Sequence, residues 1–155
     1  MQQGTKQWLD LRKRHIGGSD APILMGNCKY KINDGIYKTP NILWQEKLGL
    51  LNIDSDNDST RFGKRMEEPA REAYEKMTGI QMKPEVIFHK EVSYMMSSLD
   101  GLSKNKDIAV EIKNCNAEDH AAAMLGKVPN HYYAQVQHQL ACLGHDRMHY
   151  FSFHK

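Results

Sequence analysis

The segment Ala109–Lys113, Ala-Val-Glu-Ile-Lys, constrains the fold of this chain more than any other stretch. Its residue types favour a strand, in which successive side chains alternate between the two faces of a sheet. Val110 and Ile112 then lie on one face, and Glu111 and Lys113 lie on the other. A largely buried strand that carries two opposite charges needs partners for both. The segment therefore predicts a sheet with a polar site on one face.

A second carboxylate precedes this strand in the sequence. We expect Asp100 to stand at the end of the preceding strand, where Gly101 begins a turn, so that it reaches the same cleft as Glu111. Two convergent carboxylates form a hard oxygen site suited to Mg²⁺ or Mn²⁺. Lys113 beside it can orient or deprotonate a water and offset charge on a phosphate. The alternative is a surface hairpin in which Glu111 and Lys113 form a solvated ion pair.

Composition narrows the class of protein. The chain has 155 residues, of which 40% are hydrophobic and 26% charged, as expected for one globular domain spanning residues 1–155. No run approaches the ~20 apolar residues of a membrane-spanning helix, and the segment Met1–Thr5 has no hydrophobic signal core. We therefore expect a cytoplasmic protein with no membrane partner. The net charge is only +2, so a nucleic-acid surface would depend on local clusters of Lys and Arg.

Other metal sites are not predicted. Three cysteines without CxxC spacing argue against a zinc knuckle, an iron–sulfur cluster or a disulfide framework. His131, His138 and His145 are seven residues apart, but no fourth zinc ligand accompanies them. Residues 54–59 resemble the start of a calcium loop but lack its glycine and its closing glutamate, so we interpret them as a solvated linker.

The amino-terminal part predicts an amphipathic helix over Lys6–His15, followed by the turn Gly17-Gly18-Ser19-Asp20 and a helix from Pro22 to about Met25. A glycine turn that feeds a helix N-terminus offers free N–H groups to a phosphate, and Arg12 is close enough in sequence to lean over it. An ordinary helix–turn–helix with a glycine C-cap explains the same residues. From the residues alone, both interpretations stay open.

Thr60–Thr78 predicts the next informative helix, which ends at Gly79. Its apolar stripe runs from Ala70 to Met77 with helical spacing. One turn earlier, the stripe reaches Glu67. We therefore expect Glu67 to point inward as a third carboxylate.

The rest of the chain alternates between strand and helix patterns. The predicted strands are Ile80–His89, Ser93–Ser98 and Met148–Phe153, and the predicted helices are Ala117–Lys127 and His131–Leu143. Along the longer helix, the residues expected to face inward are Tyr133, Val136, Leu140 and Leu143. Gln135 and Gln139 lie four residues apart and are expected on a flanking face.

Five motifs carry a resemblance to a known family. In chain order they are Trp8-x3-Arg12 with Ile16-Gly17-Gly18-Ser19-Asp20; Gly63-x3-Glu67-x2-Ala70-Arg71 ending in Thr78-Gly79; Ser98-Leu99-Asp100-Gly101-Leu102; Glu111-Ile112-Lys113; and Tyr133-Ala134-Gln135-Val136-Gln137. Together they resemble the YqaJ-type viral recombinase and lambda phage exonuclease family of the PD-(D/E)XK nuclease superfamily. The resemblance spans Trp8 to Phe153. It implies an α/β, restriction-endonuclease-like fold with a central mixed β-sheet flanked by helices.

The resemblance also implies roles for individual residues. Those that match the metal site are Asp100, Glu111, the backbone carbonyl of Ile112, and Glu67 as an additional acidic residue. Those that match the remaining catalytic positions are Lys113, the catalytic lysine, and Gln135, the glutamine on the helix that borders the active site. Those that match the pocket for the 5′ phosphate of the degraded strand are Arg12, Ser19 and Ser98.

The implied activity is Mg²⁺-dependent hydrolysis of DNA, with Mn²⁺ as a substitute, by a 5′-to-3′ exonuclease that acts on duplex ends in phage or viral recombination. Two alternatives stay open: an endonuclease or nickase on the same fold, and a non-catalytic module that binds DNA or a recombination partner such as a single-strand annealing protein. The sequence departs from the family at Leu99, where proline is usual, and at Asn114, where cysteine often follows the lysine. It also ends at Lys155, where better-known relatives continue. Whether a ring-shaped trimer like that of the lambda enzyme forms here is therefore left open, as is the oligomeric state in general.

Overall fold

The computed structural model describes residues 3–28, 31–32, 35–53 and 58–154, and of residues 58–60 the backbone alone. Within these residues the helices are α1 (Lys6–Arg14), α2 (Ala21–Leu24), α3 (Pro40–Lys47), α4 (Asp58–Thr78), α5 (Ala117–Met124) and α6 (Asn130–Leu143). The strands are β1 (Met82–Phe88), β2 (Met96–Ser103), β3 (Ala109–Asn114) and β4 (His149–Phe153). A short 3-10 turn at Gly18–Asp20 leads into α2.

The four strands form one mixed sheet in the order β1-β2-β3-β4. The first two pairings are antiparallel, and β3 pairs with β4 in parallel. The parallel connection runs through α5 and α6, as a parallel pair requires a long crossover. The α/β fold with a central mixed sheet flanked by helices, implied by the resemblance, is therefore confirmed.

The two faces of β3 differ as the alternation predicted. Val110 and Ile112 are buried in an apolar cluster with Ala70 and Tyr74 of α4. Glu111, on the opposite face, is 1% exposed and contacts α6. The central strand thus joins an apolar layer under α4 to a polar layer under α6.

Strand β2 continues through Asp100, and the prediction that it ends there in a glycine turn is wrong. The strand extends to Ser103, and the turn into β3 follows it. Gly101 serves close packing instead: a Cβ at this position would lie 2.8 Å from Val110 Cγ1 and 2.9 Å from Met82 Cβ. Asp100 therefore reaches the site from the middle of a strand.

The predicted inner face of α6 is wrong in part, because its inner face is polar. Val136 is buried, but Tyr133 is 56% exposed. Gln135 and Gln139, expected on a flanking face, are among the most buried polar residues described. They face the buried carboxylate of Glu111, which requires hydrogen-bond donors and not apolar groups.

The prediction that Glu67 points inward is also wrong. Residues 61–69 of α4 are exposed or half-buried throughout, and burial begins at Ala70. Only the second half of the helix therefore packs into the apolar core. The first half, which carries Glu67, borders the sheet through polar groups, and the Gly63 carbonyl accepts a hydrogen bond from Asn114 Nδ2 of β3. Residues 54–57, most of the predicted linker, lie outside the described residues. None of the described helices has the length and hydropathy that crossing a bilayer requires.

Candidate active site

Glu111 is the centre of the polar layer. Its Oε1 accepts hydrogen bonds from Gln135 Nε2 at 2.6 Å and from Lys113 Nζ at 2.6 Å. Its Oε2 accepts a hydrogen bond from Gln139 Nε2. Both carboxylate oxygens therefore have donors, and one donor is charged. This explains how a carboxylate that is 1% exposed remains tolerable in the core.

The two glutamines hold Glu111 because α6 presents both from the same face. Residues four positions apart lie one above the other on a helix. Within the described part of the chain, the side-chain oxygens of Gln135 and Gln139 are buried without a hydrogen-bond partner. Each amide thus gives its donor to Glu111 while its acceptor stays unpaired, an arrangement that native cores seldom contain. Gln135 was a predicted site residue, whereas the role of Gln139 was missed.

Lys113 brings a cation to the same carboxylate. Its Nζ lies 2.6 Å from Glu111 Oε1 and 4.9 Å from the centre of the Tyr132 ring. The aromatic face attracts an ammonium through its quadrupole. The ring and the carboxylate together fix the lysine on the α6 side of the sheet.

Asp100 lies where β2 and β3 separate. Their pairing covers Gly101 with Val110 and Leu102 with Ala109. At the next position, a side chain and not a backbone carbonyl accepts the hydrogen bond from β3: Asp100 Oδ2 accepts from the Ile112 N–H at 2.8 Å. Burial, and next the charge of Glu111, raise the pKa of Asp100 well above its usual range, while Lys113 and the Ile112 N–H act in the opposite direction.

A cleft of about 450 Å³ opens beside Asp100, between the first half of α4 and the edge of the sheet. Its walls are Gln3, Lys64, Glu67, Glu68, Arg71, Pro84 and Asp100. Glu67 thus shares a cleft with Asp100 although it is not buried. Desolvation in the cleft raises the pKa of Glu67, and Arg71, Lys113 and Lys64 partly offset this effect.

Carboxylate oxygens are the ligands that hard divalent cations such as Mg²⁺ prefer. Asp100 and Glu111 supply carboxylates from adjacent strands, and the effect of Glu111 on the pKa of Asp100 is a repulsion that a cation would relieve. In the described residues, however, no three acidic, histidine or cysteine side chains lie close enough together to hold one ion. Both carboxylate oxygens of Glu111 already accept from protein donors, Lys113 among them. The metal-ligand roles of Asp100, Glu111, Ile112 and Glu67 therefore remain predictions.

The three residues predicted to bind a 5′ phosphate form one connected group. Arg12 Nη2 donates to Ser19 Oγ at 2.9 Å, and the guanidinium lies 4.9 Å from the centre of the Trp8 ring. Trp8 Nε1 in turn donates to Ser98 Oγ at 2.9 Å. Trp8 belongs to the first family motif, but its position as the link between Arg12 and Ser98 was not predicted.

The glycine turn connects this group to the carboxylate site. Ile16 hydrogen-bonds to Tyr94 and Met96, which places the turn beside the start of β2. Gly18 then packs so closely that a Cβ there would lie 3.2 Å from Ser97 Oγ, 3.4 Å from Gln139 Cγ and 3.5 Å from Gln135 Cγ. The predicted phosphate pocket and the glutamines that hold Glu111 are therefore direct neighbours.

Two further residues that complete the group were missed as site residues. Asp20, 3% exposed, accepts from the Gly17 N–H at 2.8 Å, and Lys47 Nζ lies 2.6 Å from the same carboxylate. Asp20 stands inside the glycine motif and could have been singled out there. Lys47 belongs to α3 and has no local signal, because its contacts are 27 to 35 residues away in sequence.

The fold has counterparts among solved structures. The crystal structure of an alkaline exonuclease, LHK-Exo, from Laribacter hongkongensis matches 97% of this chain and 75% of its own with a TM-score of 0.72 at 22% identity. The structure of LHK-Exo in complex with dAMP matches 96% of this chain and 74% of its own with a TM-score of 0.74 at 24% identity. A phage related exonuclease from Haemophilus somnus 129PT matches 90% of this chain and 68% of its own, with a TM-score of 0.62 at 17% identity. At these identities the likeness establishes the fold.

Sequence comparison gives the family. An uncharacterized protein, YqaJ, of Bacillus subtilis (strain 168) is 29% identical over 141 residues. The match covers 89% of this chain but 42% of that relative's length. The model of the YqaJ-like viral recombinase domain matches residues 7–146. The chain therefore belongs to the YqaJ-like viral recombinase domain family.

Proposed function

We propose that this chain is a Mg²⁺-dependent deoxyribonuclease and, more specifically, a 5′-to-3′ exonuclease that acts on duplex ends in phage or viral recombination. The observation that carries the proposal is the support given to Glu111. Two buried amides with unpaired oxygens and a lysine surround the buried carboxylate of Glu111, and the charge of Glu111 contributes to the raised pKa of the Asp100 carboxyl on the adjacent strand. Buried charges and unpaired polar atoms cost stability whatever their role, and groups of this kind cluster at functional sites.

The relatives support DNA as the substrate. Two of the structural neighbours are exonucleases by name, and one of them was crystallised with dAMP, a deoxynucleotide. The family is one of viral recombinases. A recombination enzyme that trims DNA ends would work with a protein that handles the exposed strand, so a single-strand annealing protein is the proposed partner.

Each residue of the carboxylate site has a proposed role in hydrolysis. Mg²⁺ bound by Asp100, Glu111 and the Ile112 carbonyl, with Glu67 at the rim, would polarise the phosphate and lower the pKa of a water. Lys113 offsets negative charge that develops on the phosphate and can hold a proton of the attacking water. The glutamines of α6 keep Glu111 in one orientation.

The direction of digestion, from the 5′ end, would be determined by the pocket of Arg12, Ser19 and Ser98. A guanidinium and hydroxyl groups bind phosphate well because they offer several directed donors to its oxygens. A terminal 5′ phosphate held there would place the adjacent linkage of the same strand toward Glu111, since Gly18 packs against the glutamines that hold it. The enzyme would then degrade the strand from its 5′ end.

The decisive experiment digests a linear duplex that carries a 5′ phosphate on one strand only, with a label at either end, in Mg²⁺ or EDTA. We expect metal-dependent loss of the phosphorylated strand from its 5′ end. Glu111→Gln, which keeps the shape but removes the charge, should abolish cleavage. The matched control is Glu118→Gln on the exposed side of α5, which should cleave like the wild type.

The same assay separates the alternatives. A covalently closed circle has no end for an exonuclease to attack. Its cleavage would therefore show that the enzyme is an endonuclease or nickase. A folded protein that binds DNA but cuts neither substrate with Mg²⁺ or Mn²⁺ would be a non-catalytic module. Unchanged activity of Glu111→Gln would refute the assignment of the site.

A further inference from the structure

Lys47 is half-buried among the residues that frame the predicted phosphate pocket, although it lies on a separate helix. Its Nζ donates to the carbonyl oxygens of Arg12 at 2.6 Å and of His15 at 2.7 Å. Both carbonyls belong to the last turn and the C-cap of α1, where backbone oxygens lack helical partners. The lysine thereby fixes the main chain from which the Arg12 side chain extends.

The third contact of Lys47 is the carboxylate of Asp20, whose Oδ2 lies 2.6 Å from Nζ. An ammonium has three N–H donors, and here each has its own acceptor. Lys47 therefore has no donor left for a phosphate. Its position indicates a supporting role and not direct contact with DNA.

Asp20 stands between Lys47 and Arg12. Its Oδ2 accepts from Lys47 and from the Gly17 N–H, while its Oδ1 is 3.8 Å from Arg12 Nη2. The same Arg12 nitrogen donates to Ser19 Oγ at 2.9 Å. The guanidinium is thus closer to the hydroxyl than to the carboxylate, although a carboxylate is the stronger acceptor. Lys47 is the nearer cation of Asp20, at 2.6 Å against 3.8 Å for Arg12.

We propose that Lys47 is a positioning residue for recognition of a 5′ phosphate: it holds the end of α1 and compensates Asp20, so that the Arg12 guanidinium stays at Ser19 and remains available to an anion. The inference rests on the phosphate pocket of the proposed function. Without Lys47, Asp20 would take Arg12 as its counter-ion. The guanidinium would then be engaged by a buried carboxylate, and an incoming phosphate would compete with it.

The test measures binding in EDTA, so that no cleavage occurs. Two fluorescent single-stranded oligonucleotides of the same sequence are compared, one with a 5′ phosphate and one with a 5′ hydroxyl. The wild type should bind the phosphorylated strand roughly tenfold or more tightly, as expected for one charge-assisted contact. Lys47→Met should reduce this ratio to about twofold or less. The matched control is Lys76→Met, which removes an exposed lysine from the last turn of α4 and should leave the ratio unchanged.

A second substitution separates charge compensation from a merely structural role. In Lys47→Met/Asp20→Asn the competing carboxylate is gone, so Arg12 returns to Ser19 and the preference for the 5′ phosphate should recover. A general loss of packing around α3 would not be repaired by Asp20→Asn. If Lys47→Met fails to fold, Lys47→Gln keeps donors for the two carbonyls but leaves Asp20 uncompensated, and it should lose the preference in the same way.

The outcomes distinguish this inference from the proposed function. A preference that persists in the folded Lys47 variants, or that does not recover in the double variant, overturns the inference. A wild type with no preference overturns the pocket and the inference together, whereas cleavage in Mg²⁺ would still support the nuclease. Conversely, a wild type that prefers the 5′ phosphate but cleaves nothing would refute the nuclease and leave the role of Lys47 standing.

Discussion

Gly101 is the residue whose substitution tests the packing around Asp100 most directly. It lies inside β2, next to Asp100, and pairs with Val110 of β3. Its φ is not in the left-handed region, so alanine would fit the backbone there. An effect of Gly101→Ala must therefore come from contact between the new methyl group and its neighbours.

The structure gives the size of that contact. The methyl carbon would lie 2.8 Å from Val110 Cγ1 and 2.9 Å from Met82 Cβ, whereas carbon atoms in van der Waals contact are ~3.5–4.0 Å apart. Neither neighbour can retreat into space, because Val110 is 0% and Met82 4% exposed. Overpacking of this kind lowers the free energy of unfolding by about 1–3 kcal/mol. For a protein of this size, that corresponds to a fall in the thermal midpoint of roughly 2–12 °C.

Gly63 is the matched control, because the same substitution should have the opposite sign there. It lies inside α4, and a Cβ would meet no heavy atom within 4 Å. Alanine in place of glycine in a helix raises stability by about 0.5–1 kcal/mol. Thermal unfolding of both variants in one buffer should therefore show Gly101→Ala below and Gly63→Ala above the wild type. A Gly101→Ala midpoint equal to or above that of the wild type would refute the packing described between β1, β2 and β3.

Three further outcomes are expected. Gln139→Leu leaves Glu111 Oε2 without its donor and should lower the unfolding free energy by about 1–3 kcal/mol; urea denaturation measures this, and an unchanged midpoint would contradict the contact. The pKa of Asp100 is raised on folding, so the folded state retains the proton to higher pH and wild-type stability falls as pH rises through that interval. Asp100→Asn has no carboxyl to ionise and so keeps its stability as the pH rises. In EDTA its thermal midpoint should therefore exceed that of the wild type at neutral pH, and the difference should disappear below the usual pKa of Asp. A difference that does not change with pH would refute the raised pKa of Asp100. Finally, Mg²⁺ should raise the thermal midpoint of the wild type but not of Asp100→Asn, because only a metal bound to the folded state stabilises it.

Local patterns in the sequence predicted the helices well. The first helix was expected over Lys6–His15 and spans Lys6–Arg14. The long helix was expected over Thr60–Thr78 and begins two residues earlier. Apolar periodicity and terminal residues set these boundaries, and both are properties of neighbouring residues in the chain.

The errors arose where distant parts of the chain determine the environment. Gly101 was interpreted as a turn residue because glycine often marks a turn. In the structure it lies inside β2, where Met82 of β1 and Val110 of β3 leave no room for a side chain. The flanking position predicted for Gln139 assumed that inward positions on a helix are apolar. That rule fails on α6 because the residue opposite is Glu111. Lys47 was not predicted as a site residue, since no pattern near it in the sequence reveals its acceptors at Arg12, His15 and Asp20.

Gly18 shows why the two parts of the candidate site are best treated as one. The residue before Ser19 has no side chain, and the Cγ atoms of Gln135 and Gln139 occupy the adjacent space. A larger residue at Gly18 would push either the turn that carries Ser19 or the amides that hold Glu111. Because protein interiors are closely packed, neither group can move without the other. Direct contact at Gly18 thus couples the proposed phosphate pocket to the glutamines that hold Glu111, and the proposed exonuclease would need such a fixed spacing between the DNA end and the linkage that it cuts.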